Sequence, residues 1–460
     1  MTENALRSSF RDPSGSLFLR EGVLYRRVNA VYAPHYDQLM TSGLYEDLVG
    51  KGLLVPHEEV TVDGEEAEGA YNILRPERVP FISYPYEWCF HQLQDAALAT
   101  LRIQRRALKF GMSLKDASAY NIQFHHGKPV LIDTLSFETV EEGRPWVAYR
   151  QFCQHFLAPL ALMSYHDVRT TQLLRAFIDG LPLDLVAGLL PRRTKLKPAL
   201  LIHLHLHSRA QRKYEDSGEM KESVGRGMSK GALLAVVESL QNATKALQWE
   251  PPKTVWANYY QDNSYSDAGI EHKRQIVGRF LELSAPAVVW DLGANTGLFS
   301  ALALEKGAKV VVASDVDPAC VDIMYRERVK KSGEDLLPLV IDLTNPSPAL
   351  GWAHGERDSL ADRGPADVVM ALALVHHLAI ANNVPLPMVA GFFSRLCRSL
   401  IVEFVPKSDP QVKRLLRSRE DVFDRYTQAD FEADFAGYFE IETQERVSDS
   451  DRVVYLMRKR

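Results

Sequence analysis

The chain has 460 residues, 46% of them hydrophobic and 25% charged, with a formal net charge of -5. That length exceeds one ordinary core and predicts two domains, and the composition is that of a globular protein. A mildly acidic chain is not built around nucleic-acid phosphates, so no nucleic-acid partner is expected.

The start, MTENALRSSFRDPSG, lacks the apolar core of a signal peptide. Cys89, Cys153, Cys320 and Cys397 are far apart and show no metal-ligand spacing, which points to reduced thiols and a cytoplasmic protein. The longest apolar run, Val368 to Leu374, is too short for a bilayer, so no membrane span is expected.

In chain order, residues 15–30 read as two strands around a Glu21-Gly22 turn. Arg26 and Arg27 fall in the second of them. Residues 88–111 carry apolar side chains at helical spacing. A strand-turn-strand follows, Asn121 to Phe124 and Pro129 to Asp133, with His126-Gly127 at the turn. Residues 146–213 look mostly helical. Within them, PRRTKLKPALLIHLHLHSRAQRK is basic, with alternating His203, His205 and His207. No cysteine or acid stands there at ligand spacing, so no metal is assigned to it. The polar, Gly- and Ser-rich stretch 214–232 reads as a linker, and a helix over 232–248 leads into a second domain. The expected division is 1–215 for an α+β domain, 216–254 for linker and leading helix, and 255–460 for the second domain. There strands and helices alternate, which predicts a mainly parallel, doubly wound α/β sheet.

The run SLKDASAYNIQFHHGKPVLIDTLSFE, residues 113–138, places Asp116 five residues before Asn121, with Asp133 ending the next strand. One acid to orient a hydroxyl, with an Asn and a second acid to hold magnesium, is the set that phosphotransferases use. The run resembles the catalytic and metal loops of protein kinases and aminoglycoside phosphotransferases. The resemblance implies a kinase-like fold for the N-terminal domain, with Ile82 to Tyr86 as the crossing between lobes. Asn121 and Asp133 are then candidate magnesium ligands if the site is intact. The departures are Lys115 for the usual arginine, Thr134-Leu135 for Phe-Gly, no glycine-rich loop, and no lysine in the early strands. They predict a degenerate site used for recognition.

In TVWANYYQDNSYSDAGIEHKRQIVGRF, Tyr259, Tyr260 and Tyr265 precede Lys273 and Arg274. Similar aromatic-rich segments fold over a cofactor, which makes Tyr265 and Lys273 candidate cofactor residues; a docking helix is the alternative.

The strongest signal is AVVWDLGANTGLFSALALEKG, residues 287–307. A buried strand ends at Asp291, Gly293 and Gly297 bracket a tight turn, and a helix begins at Leu298. An acid beside the glycine turn repels pyrophosphate and suits a cationic ligand. The next strand, Lys309 to Ser314, ends at Asp315, where a carboxylate can accept both hydroxyls of a ribose. Asp317 is the fallback. A third strand ends at Asp342. A fourth, Asp367 to Leu372, runs into Val375-His376-His377-Leu378. A fifth, Ser399 to Phe404, carries Glu403. Phe439 to Val447 and Arg452 to Met457 form a last hairpin.

These features resemble class I S-adenosylmethionine-dependent methyltransferases, with Asn295 in place of the middle glycine of their first motif. The resemblance implies a seven-stranded sheet with a terminal antiparallel hairpin, and S-adenosylmethionine as cofactor. It assigns the cofactor to Asp291, Gly293, Asn295, Gly297, Asp315 and Asp342, with Asp342 facing the adenine amino group. His376, His377 and Glu403 are the candidate catalytic bases. The chain lacks the Asn/Asp-Pro-Pro-Tyr/Phe motif of amino-methylating nucleic-acid enzymes. The expected acceptor is therefore a small molecule or saccharide, methylated on oxygen. The first-motif region and IVEFVPKSDP also look like nodulation-associated methyltransferases. Two rivals stand beside this reading: a bifunctional enzyme whose N-terminal half transfers phosphate, and a non-catalytic recognition protein.

Overall fold

The computed structural model describes residues 6–64, 67–206, 228–251, 266–417 and 420–460. The expected linker lies mostly outside the described residues, as do Tyr259, Tyr260, Tyr265 and His207. The chain forms two compact units, one of residues 1–250 with 349–357, the other of 251–348 with 358–460.

The first unit opens with an antiparallel sheet of β1 (Gly15–Arg20), β2 (Val23–Asn29), β3 (His57–Glu59) and β4 (Ala70–Pro76), in the order β1-β2-β4-β3. Two short helices, Ala33–Thr41 and Leu44–Val49, separate β2 from β3. Tyr32, Tyr36, Val28, Leu74 and Leu135 form a buried cluster. The helix Phe90–Lys109 follows the periodicity of its apolar residues. It buries Phe90, Leu93, Ala97, Leu101 and Leu108 on one face and ends with Arg106 and Lys109, which suit the negative end of its dipole. Two small sheets follow, β5 (Met112–Leu114) with β8 (Phe137–Thr139) and the hairpin of β6 (Ile122–His125) and β7 (Lys128–Leu131), and from Tyr149 to Leu206 the segments are helical.

Two assignments differ from the sequence expectation. The helix Lys230–Ala246 belongs to the first unit rather than leading into the second. Gln94 of the helix Phe90–Lys109 donates to the Thr244 and Leu247 carbonyls at 2.9 and 2.8 Å, satisfying the end of that later helix. Residues 349–357 also group with the first unit. There Glu356 is buried and accepts from Arg11 at 2.7 Å, and the Arg357 guanidinium lies 4.3 Å from the centre of the Tyr120 ring. No local pattern in a short polar insertion reveals which core it joins.

The second unit is the expected α/β sheet, with seven strands among the described residues. They are β9 (Val288–Leu292), β10 (Val310–Asp315), β11 (Leu336–Val340), β12 (Ala366–Ala371), β13 (Cys397–Phe404), β14 (Phe439–Arg446) and β15 (Val453–Lys459). Their order is β11-β10-β9-β12-β13-β15-β14. The first five run parallel, while β15 pairs antiparallel with both β13 and β14. The chain thus crosses from β11 on one side of β9 to β12 on the other. Sheets of this kind hold ligands at that reversal, beyond the carboxyl ends of the strands.

Candidate active site

A cavity of about 330 Å³ opens beyond the carboxyl ends of β9, β10, β11 and β12. Gly293, Asn295 and Gly297 all hold positive φ, at 79°, 51° and 80°. The middle position therefore needs a left-handed residue, and asparagine is among the few side chains that tolerate it. This is why Asn295 can stand where a glycine is usual. A Cβ on Gly297 would also meet Met324 at 3.0 Å.

The amides of this turn are spent within the protein. Gly293 and Ala294 donate to the Ser314 carbonyl at 2.8 and 2.9 Å, and Asn295 donates to Asp315 Oδ2 at 2.8 Å. A phosphate loop would instead aim such amides at its ligand. The cavity wall is acidic, carrying Asp291, Asp315 and Asp342. Asp291 is buried and accepts from the Ser300 hydroxyl at 2.6 Å. Asp315 accepts from Asn295 and, at 2.9 Å, from the Asp317 amide. Burial pushes both carboxyls up to about 6, against the hydrogen bonds that favour their ionised forms. A cationic ligand with a diol would be well received, and an anionic phosphate would not.

Asp342 also lines the cavity but is exposed, accepting from the Thr344 amide and hydroxyl at 2.9 and 2.6 Å. Asp317 caps the helix Pro318–Met324 through the Ala319 amide and is not among the residues that line the cavity. Tyr265 lies outside the described residues.

Across 452 residues the chain is 34% identical to the nodulation protein NoeA of Rhizobium meliloti (strain 1021), covering 97% of this chain and 94% of that one. The chain belongs to the NoeA family. No family model matches it. Among solved structures it is similar to the 16S rRNA methylase RmtB, at 15% identity over 48% of this chain and 83% of that one, with a TM-score of 0.32. Another is the magnesium protoporphyrin IX methyltransferase ChlM of Synechocystis PCC 6803, at 19% identity over 44% and 92%, also with a TM-score of 0.32. The C-terminal unit of this NoeA-family chain has the sheet order of the S-adenosylmethionine-dependent methyltransferase fold. Its acids at the ends of β9 and β10 stand beside a phosphate-averse turn.

The three candidate bases fall in different places. His377 lines the cavity, half-buried, and burial lowers its imidazole to about 4, so the ring is neutral at pH 7. His376 is 1% exposed, does not line the cavity, and its Nδ1 has no partner among the described residues. Glu403 is wholly buried and accepts from Lys273 at 2.6 Å, with Arg452 at 3.6 Å. A carboxylate held by two cations behind the cavity is a poor proton acceptor. Lys273 does line the cavity, and its ammonium lies 5.0 Å from the centre of the Phe299 ring. Sequence reasoning missed Ser300, two residues beyond Leu298 in the first turn of the helix, as the donor to Asp291. It also missed Asn382 and Leu374 in the cavity wall.

In the first unit of this NoeA-family chain, Asp116, Asn121 and Asp133 do come together. Asn121 lends hydrogen-bond support to Asp116 and donates to Ser136 Oγ at 3.3 Å, and that hydroxyl donates to Asp133 Oδ2 at 2.6 Å. Burial, with the charge of Asp133, holds the Asp116 carboxyl above its usual range. A guanidinium enters the cluster as well. Arg26 of β2 meets Asp133 Oδ1 at 2.5 Å, with Asp12 at 3.6 Å. His203 and His205 lie on a helical segment, not a strand. Tyr149 and Ser239 engage His203 at 2.7 and 2.9 Å, and Thr194 engages His205 at 2.9 Å.

Proposed function

We propose that the chain transfers the methyl group of S-adenosylmethionine to a hydroxyl of a small-molecule or saccharide-like acceptor in the cytoplasm. The observation that carries the reading is the placement of neutral His377 on the wall of the acid-lined cavity. Asp291 receives the ammonium of the cofactor's amino-acid end, Asp315 its ribose diol, and Asp342 its adenine amino group. In-line displacement needs donor and acceptor held in register more than it needs strong base chemistry. An imidazole near 4 is a weak base. His377 therefore serves chiefly to orient the acceptor hydroxyl, aiming its lone pair at the methyl group, and it takes up the hydroxyl proton as the C–O bond forms and the S–C bond breaks to release S-adenosylhomocysteine. The acidic wall and the chain's net charge of -5 favour an acceptor other than a polyanion. Cys89, Cys153, Cys320 and Cys397 are unbridged and buried, which suits a reducing compartment.

The test is incubation of cell extract with the protein and a donor carrying an isotope-labelled methyl group, read by mass spectrometry. A labelled saccharide or small hydroxyl compound is expected; label sensitive to nuclease would overturn the acceptor class. His377→Ala should lower the labelling rate by about 100-fold or more, within the range for loss of a positioned proton acceptor. Cofactor affinity measured by calorimetry should not change. Equal labelling by the variant would remove His377 from the reaction.

We infer that the N-terminal unit keeps a phosphotransferase-like cluster that its own arginine has closed. A magnesium site needs oxygens open to the ion, and Arg26 and Ser136 hold the two oxygens of Asp133. The unit then serves recognition rather than phosphate transfer. Arg26→Ala should destabilise the protein by about 1.5 to 3 kcal/mol, as loss of a hydrogen bond to a charged group does. Scanning calorimetry checks that value. Magnesium-dependent ATP binding by the unaltered chain would instead favour the bifunctional enzyme.

A further inference from the structure

Glu77, His125 and His126 of the first unit bring one ligand atom each within 4.8 Å of one another. No step proposed above uses them. Neighbouring residues of a strand project to opposite faces, so adjacent histidines do not ordinarily share a ligand. Here the backbone overrides that rule. His125 ends β6 and pairs with Lys128 of β7, leaving His126 and Gly127 as a two-residue turn. Both have positive φ, 48° and 68°. Such turns favour Asn-Gly, and histidine is among the less costly departures. The left-handed residue swings the second ring onto the side of the first, with centroids 4.0 Å apart. Glu77, one residue past β4, completes the group by meeting His125 Nε2 at 2.8 Å, while its own amide is fixed on the Pro56 carbonyl at 2.9 Å.

We propose that Glu77, His125 and His126 form a zinc site that pins the β6–β7 turn to the segment following β4. Two imidazoles and one carboxylate are a donor set that zinc takes, leaving a fourth position for water or another ligand. Tetrahedral zinc needs its donors about 3.3 Å apart, given bonds of about 2.0 to 2.2 Å. Small rotations of exposed side chains close the remaining gap. Glu77 and His126 are exposed, so the ion can enter from solvent. Lys128 opposes it with one ammonium, a repulsion that water and salt screen.

The experiment is calorimetric titration of the full chain with zinc chloride at pH 7.5, in a non-coordinating buffer. The buried thiols of the four cysteines do not compete in the native state. One ion per chain is expected to bind and to raise the melting temperature. His126→Asn keeps a side chain suited to the left-handed turn while removing a donor. It should weaken zinc by about tenfold or more, since loss of even a hydrogen bond behind a ligand costs roughly 10 to 100-fold. Glu77→Gln should do the same without touching the turn. No binding by the unaltered chain would overturn the proposal, as would unchanged affinity in both variants.

Discussion

Glu403→Gln is expected to lower the stability of the sheet unit by about 3 to 5 kcal/mol, the range for leaving one partner of a buried ion pair uncompensated. In a unit of this size that is roughly 6 to 20 °C in melting temperature, at about 2 to 4 °C per kcal/mol. Glu403 is 0% exposed and Lys273 is 4% exposed, so water cannot take over the lost charge. Arg452 keeps Asp409, which its Nε meets at 2.8 Å, while the Lys273 ammonium loses the carboxylate it donates to at 2.6 Å and keeps the electrostatic pull of Asp291. Burial already lowers the Lys273 ammonium from its usual range, with Glu403 opposing that shift. Exchanging both residues, as Lys273→Met with Glu403→Leu, should recover much of the loss, because apolar groups of similar volume need no counter-ion. Differential scanning calorimetry separates the two cases. A base would behave otherwise: Glu403→Gln would abolish turnover and leave the melting temperature in place.

Asp315→Ala should weaken S-adenosylmethionine by about 1.5 to 3 kcal/mol, roughly 10 to 150-fold in Kd. Part of that comes from the ribose and part from the turn, since the same carboxylate holds the Asn295 and Asp317 amides. Asp342→Ala should cost less, as that acid is exposed and solvated. Isothermal calorimetry measures both, and equal affinities for the unaltered and Asp315→Ala proteins would exclude the ribose assignment. The affinity should also depend on pH. Asp291 and Asp315 sit near 6 without ligand, and a cationic cofactor favours their ionised forms. Binding is therefore full well above pH 6 and falls as pH drops through 6. The unliganded fold has the opposite sign from these two groups. A folded value raised above the unfolded one means that folding takes up protons, so their contribution to stability grows as pH falls from 6 towards 4. The gain in melting temperature on adding cofactor should shrink over that same range.

The methyltransferase sheet was legible in the sequence because each of its signals is local. A strand ending in an acid, a turn needing left-handed residues and a helix after it all fall within residues 287–307. The final hairpin is likewise marked by its own alternation and its polar connection. Ala33–Thr41, Leu44–Val49, β3 and β4 are not legible in the sequence: the equally short β1, β2, β6 and β7 are marked by the Gly turns at Glu21-Gly22 and His126-Gly127, and no such two-residue turn joins β3 to β4. The sequence named Asp116, Asn121 and Asp133, and their spacing around a hairpin was enough to bring them together. That Arg26 would reach Asp133 from a strand more than 100 residues earlier is a long-range pairing that no local pattern encodes.

The same division separates the three candidate bases. By itself the sequence determined the sheet, the acids at the ends of its strands and the residue types available for chemistry, since backbone preference and hydrophobic period act over a few neighbours. Only the tertiary structure decided that His377 faces the cavity, that His376 is sealed behind it, and that Glu403 is bound to Lys273 and Arg452. It alone also placed 230–246 and 349–357 in the first unit. The reason is physical: burial and charge pairing depend on which distant surfaces close over a side chain, and identical residues acquire different chemistry once that closure is made.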